Sequence, residues 1–215
     1  MGAAEDIKTL RERTGAGILD CKKALAESGG ELDKAVDWLR AKGIANAAKK
    51  SGRVASEGLV TSYIHAGGKI GVLLEVNCET DFVAMNDGFK QLCHDLAMHI
   101  AAAGPEYVAR EDVPASAIDH EREVQKQRVI EEGKPAHIAD KIVEGRLGKF
   151  YEEQCLLEQK YIKDDSKTVR EILTDAVARI GENIKVRRFA RYVLGEGLEK
   201  RSSDFASEVA AQLGH

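Results

Sequence analysis

The chain has no long apolar run. A membrane-crossing helix needs about 18 or more mostly apolar residues, and no stretch of the 215 residues approaches that. No membrane role is expected. The opening residues, MGAAEDIKTL, lack the basic and apolar regions of a secretory signal. They also fail as a myristoylation site, because Asp6 stands where Ser or Thr is required. The four cysteines Cys21, Cys78, Cys93 and Cys155 form no C-x-x-C pair. Their wide spacing provides neither a zinc framework nor a dense disulfide scaffold. Reduced thiols and a cytoplasmic location are the expectation. His94 and His99 do not stand at i,i+4 on a helix, so no metal site is assigned.

Catalytic signatures are missing too. Gly67-Gly68-Lys69 lacks the glycine spacing and the following Ser or Thr of a phosphate-binding loop. There is no G-x-G-x-x-G after a strand and no G-x-S-x-G elbow. His65 alone at a turn reads as a surface residue rather than a base. An unrecognised hydrolase would need an acid, a base and a nucleophile that the chain does not present. No enzyme activity and no cofactor are expected. The formal net charge of −4 argues against a general electrostatic nucleic-acid binder. With 43% hydrophobic and 32% charged residues, the composition is that of a soluble globular protein.

What is present is organised in three parts. Residues 4–50 read as three short helices. Ile7 and Leu10 mark the first, and Thr14–Gly17 breaks it. The second runs from Ile18 to Ser28. The third runs from Glu31 to Lys42, with Leu32, Ala35, Val36 and Leu39 at helical spacing and Gly43 as its end. Trp38 lies off that stripe and is expected to be partly exposed. Ala47–Arg53, small and basic, reads as a linker.

From Ala55 the period changes to two. Leu59, Thr61 and Tyr63 alternate with Val60, Ser62 and Ile64. A glycine turn then leads into Ile70–Val76, which makes a hairpin. Phe89, Leu92, Cys93, Leu96 and Ile100 form a buried helical face. A charged, solvent-facing helix is expected after Pro114, to about Glu132. Another follows from Pro135 to about Leu157, with Ile138, Ile142 and Phe150 as its stripe. Residues 161–167 read as a polar loop. Val169, Ile172, Leu173, Ala176 and Ile180 mark a further helix. A last strand has Ile184, Val186, Ala190, Tyr192 and Leu194 on one face, with Arg188 as the exception. It completes a three-stranded antiparallel sheet. A short amphipathic tail with Asp204-Phe205 follows.

The most informative stretch is Asn77–Ala84, NCETDFVA. An acid beside a large aromatic, at a strand end and before a helix, is poorly placed for a core. It is well placed to enter another molecule. The alternative has Phe82 capping the local core and Asp81 N-capping a short helix.

Three segments together resemble the bacterial elongation factor Ts family. They are LRERTGAGILDCKKAL (Leu10–Leu25), EVNCETDFVA (Glu75–Ala84), and the end region with KIVEGRLGK (Lys141–Lys149) and YVLGEGLEK (Tyr192–Lys200). The family's members are guanine-nucleotide exchange factors of the GTPase elongation factor Tu. The resemblance implies an α+β fold: an N-terminal three-helix bundle like a ubiquitin-associated domain (1–54, with linker), a core with the three-stranded sheet (55–200), and a C-terminal helical module (201–215). It implies that Arg11, Ile18, Leu19 and Lys22 grip the GTPase domain. Asp81 and Phe82, flanked by Thr80 and Val83, would disturb its magnesium site. The tail around Asp204 and Phe205 would embrace it. Longer members carry a second sheet-and-helix unit, whereas this chain has one. A homodimer that rebuilds the duplicated core and binds two GTPase molecules is therefore expected. His65 of one protomer would then reach the partner that meets Phe82 of the other. An RNA-binding adaptor is the competing reading. It rests on Lys185, Arg187, Arg188 and Arg191, with Phe189 and Tyr192 for stacking.

Overall fold

A computed structural model describes residues 3–198. The expected tail contacts at Asp204 and Phe205 lie outside the described residues.

The fold is α+β. Helices α1 (Ala3–Thr14), α2 (Ile18–Glu27) and α3 (Leu32–Lys50) form an N-terminal bundle. Its core is small: Leu10, Cys21, Ala24, Leu25 and Ala35 are buried, with Trp38 half-buried beside them. The third helix does not end at Gly43. It continues through Lys50, so most of the expected linker is helical. The physical reason is packing. A Cβ on Gly43 would lie 3.2 Å from the Ala178 Cβ of a later helix. Here glycine allows two helices to approach closely, and tertiary contact outweighs its low helix propensity.

Strands β1 (Glu57–Ile64) and β2 (Ile70–Cys78) form the hairpin, with Ile64 opposite Gly71 and Gly58 opposite Asn77. Gly58 has φ +143°, and a Cβ there would lie 2.1 Å from the Val76 carbonyl oxygen. Only glycine fits. After the short helix α4 (Asp81–Ala84), helix α5 (Asp87–Ala103) buries Phe89, Leu92, Cys93, Leu96 and Ile100 against the sheet. The Asn86 side chain caps α5 by accepting from the N–H groups of Gly88 and Phe89.

Helices α6 (Ala115–Glu131) and α7 (Ala136–Gln154) pair with each other as a hairpin around their own small core of Val129, Val143 and Leu147. Of the expected α7 stripe Ile138, Ile142 and Phe150, only Ile142 packs against this core. Ile138 is exposed, and Val143 and Leu147 face Val129 instead. Residues 161–167 are not a loop. They belong to a two-stranded hairpin, β3 (Lys160–Tyr161) and β4 (Asp164–Thr168), whose polar side chains hid it. Helix α8 (Val169–Ile180) starts with a capping box between Thr168 and Glu171 and ends at left-handed Gly181.

Strand β5 (Lys185–Val193) completes the sheet in the order β1-β2-β5, antiparallel throughout. Its faces differ from the sequence expectation. Glu75 pairs with Arg188 but Val76 pairs with Val186, so Arg187 is an extra residue in the ladder. A bulge of this kind reverses the alternation that follows it. Val186 faces the core, but beyond the bulge Phe189 packs inward. Tyr192 and Leu194 turn outward and are 71% and 73% exposed. Arg188 is on the outer face with them, and is no exception to its side.

The sheet's two faces are thus unlike. The inner face, with Val72, Leu74, Val76 and Val186, is covered by α5 and α8. The outer face carries Val60, Ile64, Leu73, Tyr192 and Leu194, each more than half exposed, and no described element covers it.

Candidate functional site

Strand β2 ends at Cys78, and the chain turns through Glu79 into α4. Thr80, not Asp81, holds the N-cap position. The Thr80 hydroxyl does not cap the helix; it donates to Glu182 Oε1 at 2.6 Å. Asp81 is free of the capping role and exposed. Phe82 does not cap the local core, for 87% of its surface is open to solvent. Met85, one turn on, is 64% exposed. At i,i+3 the two share a face, so the loop ends in a small apolar tip beside a carboxylate. Val83 points the other way and packs on the core. Of the four residues singled out here, Val83 and Thr80 are anchors, and Asp81 and Phe82 are presented.

The anchoring is polar and reciprocal. Glu182 Oε2 accepts from the N–H groups of Glu79 and Thr80, each at 3.0 Å. Glu79 Oε1 accepts from the N–H of Asn183 at 2.6 Å. Arg53 pairs with Glu79 at 3.5 Å. The buried Asn183 amide donates to the carbonyl groups of Arg53 and Ser51 at 2.8 and 3.4 Å. Sequence reasoning missed Glu79, Glu182, Asn183 and Met85. Only Met85 left a local signal, its spacing from Phe82.

The second group lies on the bundle. Arg11, Ile18, Leu19 and Lys22 are all exposed. Ile18 and Lys22 stand at i,i+4 on α2, and Leu19, 82% exposed, adjoins them. Cys21, Ala24 and Leu25 take the adjoining face of α2 into the bundle core, and Ile18 and Leu19 are left outside it. His65 lies at the far end of the sheet, at the β1–β2 turn, where its Nδ1 is 3.2 Å from the Tyr63 hydroxyl. With about 3.4 Å per residue, the length of β2 puts roughly 27 Å between that turn and the Phe82 loop.

The three arginines of β5 are already engaged. Arg188 and Arg187 hydrogen-bond Glu75 at 2.7 and 3.0 Å, and the Arg188 bond, with Arg187 behind it, holds the Glu75 carboxyl below its ordinary range. Arg191 donates to the Ala101 carbonyl. Phe189 packs against the core instead of offering its ring for stacking. Among the described residues, no group of three or more His, Cys, Asp or Glu is arranged to hold a metal ion.

Comparison with known proteins decides the family. The family model for elongation factor TS matches residues 44–196. Elongation factor Ts of Syntrophomonas wolfei is 62% identical over 213 residues, which are 99% of this chain and 100% of that protein. The elongation factors Ts of Desulforamulus reducens and Geobacter sulfurreducens are each 60% identical over 211 residues. The chain belongs to the elongation factor Ts family. Membership makes it an elongation factor of translation, and the similarity runs through both the bundle patch and the Phe82 loop. The match takes in nearly the whole of each of these relatives.

Proposed function

We propose that this member of the elongation factor Ts family stimulates release of GDP from elongation factor Tu by pressing the Asp81-Phe82 tip against its Mg²⁺ and phosphate site. The observation that supports this best is a phenyl ring almost wholly in solvent on a loop that is otherwise tied down. Exchange needs no bond chemistry, so the chain acts as an exchange factor and not as an enzyme with its own catalytic group. The factor must bind the nucleotide-free GTPase better than the GDP form, and linkage then requires GDP to weaken the factor's binding equally. Driving such a switch from 1:99 to 99:1 takes about 5.5 kcal/mol. Burying one phenyl ring supplies about 1.5–3 kcal/mol. Phe82 therefore works with a second, state-selective grip, for which Arg11, Ile18, Leu19 and Lys22 are the candidates. Displacing the magnesium ligands then removes charge stabilisation from the phosphates.

In this reading residues 1–54 dock, residues 55–200 carry the tip, and residues 201–215 add a C-terminal contact through Asp204 and Phe205. The setting is the cytoplasm. The deciding experiment is release of labelled GDP from elongation factor Tu with and without the chain. Absence of stimulation at saturating concentration refutes the proposal.

A homodimer is the second element. The exposed apolar face of Val60, Ile64, Leu73, Tyr192 and Leu194 supports it, since a broad apolar sheet face is characteristic of an interface. The span between His65 and Phe82 also supports it. Two ends of one sheet do not meet one point, but two protomers can offer His65 and Phe82 to the same GTPase. Sedimentation should then give about twice the 23.5 kDa chain mass. An RNA-binding adaptor has weaker support, because the β5 arginines are spent within the protein. A steep salt-dependent RNA affinity would favour it.

A further inference from the structure

The Phe82 tip has a mechanical problem. Helix α4 has four residues, too few to hold itself together. Its exposed ring receives no packing that would set its direction. Val83 and buried Ala84 seat the helix on the core, and among the described residues the main polar restraint on its entry is the turn that follows α8. Left-handed Gly181 swings the chain there, and Glu182 reaches across to accept from Glu79 N–H, Thr80 N–H and the Thr80 hydroxyl. Thr80 gives up its usual capping bond to make this contact. Hydrogen bonds to an ionised carboxylate are the strong ones, and three converge on one side chain. The neighbouring residue, Asn183, holds the segment leaving α3 through the carbonyls of Ser51 and Arg53.

We propose that Glu182 is a positioning residue for nucleotide exchange: its carboxylate sets the angle at which Phe82 and Met85 meet the partner. The inference rests on the reading of Phe82 given above. It assigns Glu182 no contact with the GTPase. The same turn, through Asn183, ties the tip to the base of the N-terminal bundle, so both grips share one reference point.

A positioning defect has a recognisable form. Docking elsewhere on the surface survives, and only the step that needs the tip in place slows. The test compares the full-length wild type with E182A, E182Q and F82A, measuring labelled-GDP release from elongation factor Tu across a range of factor concentrations. A misplacement of about 1 Å can cost about a hundredfold in rate. E182A is therefore expected to lower the maximal release rate about tenfold while the half-saturating concentration stays within about twofold. E182Q should recover to within about threefold of wild type, because its amide oxygen accepts both N–H groups and its nitrogen donates to the Thr80 oxygen. Amide hydrogen exchange at Glu79 and Thr80 should quicken in E182A while β2 stays protected. If E182A does not fold, T80V serves in its place. It removes only the hydroxyl bond, at an exposed residue, and should lower the maximal rate about threefold.

The proposal is overturned by a wild-type maximal rate in E182A, by E182Q no better than E182A, or by a loss confined to half-saturation. If F82A slows release and the Glu182 and Thr80 variants do not, the positioning role fails alone. If F82A has no effect, the reading beneath it fails as well.

Discussion

The Phe82 tip and the outer face of the sheet are both apolar and both exposed, yet they are built differently. The tip is one ring and one thioether on a four-residue helix, held by a reciprocal lattice of carboxylates and backbone N–H groups. The outer face is broad, and its side chains stand on the ladder of three paired strands. A small target that must be displaced calls for a point contact with a fixed direction. A surface that must be covered permanently needs area and tolerates loss of any one residue. Burial alone does not separate the two; what holds each of them does.

Phe82→Ala should break the comparison most sharply. Loss of about 1.5–3 kcal/mol of ring burial predicts a fall of about tenfold to a hundredfold in stimulated GDP release. The far-ultraviolet spectrum and the sedimenting mass should not change. A folded variant with unaltered release would remove the tip from the mechanism. Leu19→Asp should act on docking instead, raising the half-saturating concentration about tenfold at an unchanged maximal rate. Equal affinity for variant and wild type would deny the bundle its grip.

Leu73→Arg tests the broad face. It lies opposite Ser62 and Ala190 at the centre of the outer surface. A guanidinium there should halve the sedimenting mass, from about twice the 23.5 kDa chain to the chain itself. A monomeric wild type at concentrations far above those used for exchange would end the dimer reading outright. A mixed dimer sharpens the point. One protomer carries His65→Ala and the other Phe82→Ala. One partner site then has both defects and the other neither, and about half the exchange activity should survive.

The smallest effect is one that neither surface controls. Burial pushes the Cys93 thiol up to about 12, the Cys155 thiol up to about 11 and the Tyr161 phenol up to about 12. Each group is raised above its unfolded value, so its contribution is complete below that value and is lost as pH rises through the folded one. Melting temperature should therefore fall from about pH 9 upward, most steeply between about pH 10 and 11 where all three groups contribute, with no matching loss between pH 7 and 8. A flat profile to pH 11 would contradict it.

How much of this was legible before the structure depended on whether the governing contact was local. Alternation from Leu59 to Ile64 and the stripe from Phe89 to Ile100 report the burial of their own elements, and both were read correctly. The local residues around Phe82 left its burial open, and the family resemblance of the wider chain favoured exposure. The outward turn of Tyr192 was not inferable, because one extra residue at Arg187 reverses the phase and leaves composition unchanged. The β3–β4 hairpin went unseen because its strand Asp164–Thr168 has no apolar alternation. Gly43 looked like a helix end because the residue that explains it, Ala178, is far along the chain. The Glu182 bracket was invisible for the same reason, spanning a sequence separation of 102 residues at Thr80.

The passage of α3 through Gly43 also bears on how the chain can be cut and exchanged. The first half of this helix closes the bundle through Ala35, while Ala47 in its second half lines the large core. The region matched by the family model begins at residue 44, inside that helix. A chimaera joined at residue 54 would therefore import a foreign wall into the core and set a new side chain against Ala178. A crossover placed at Gly43, or one that moves α8 together with the bundle, keeps the seam between the two helices in a single parent.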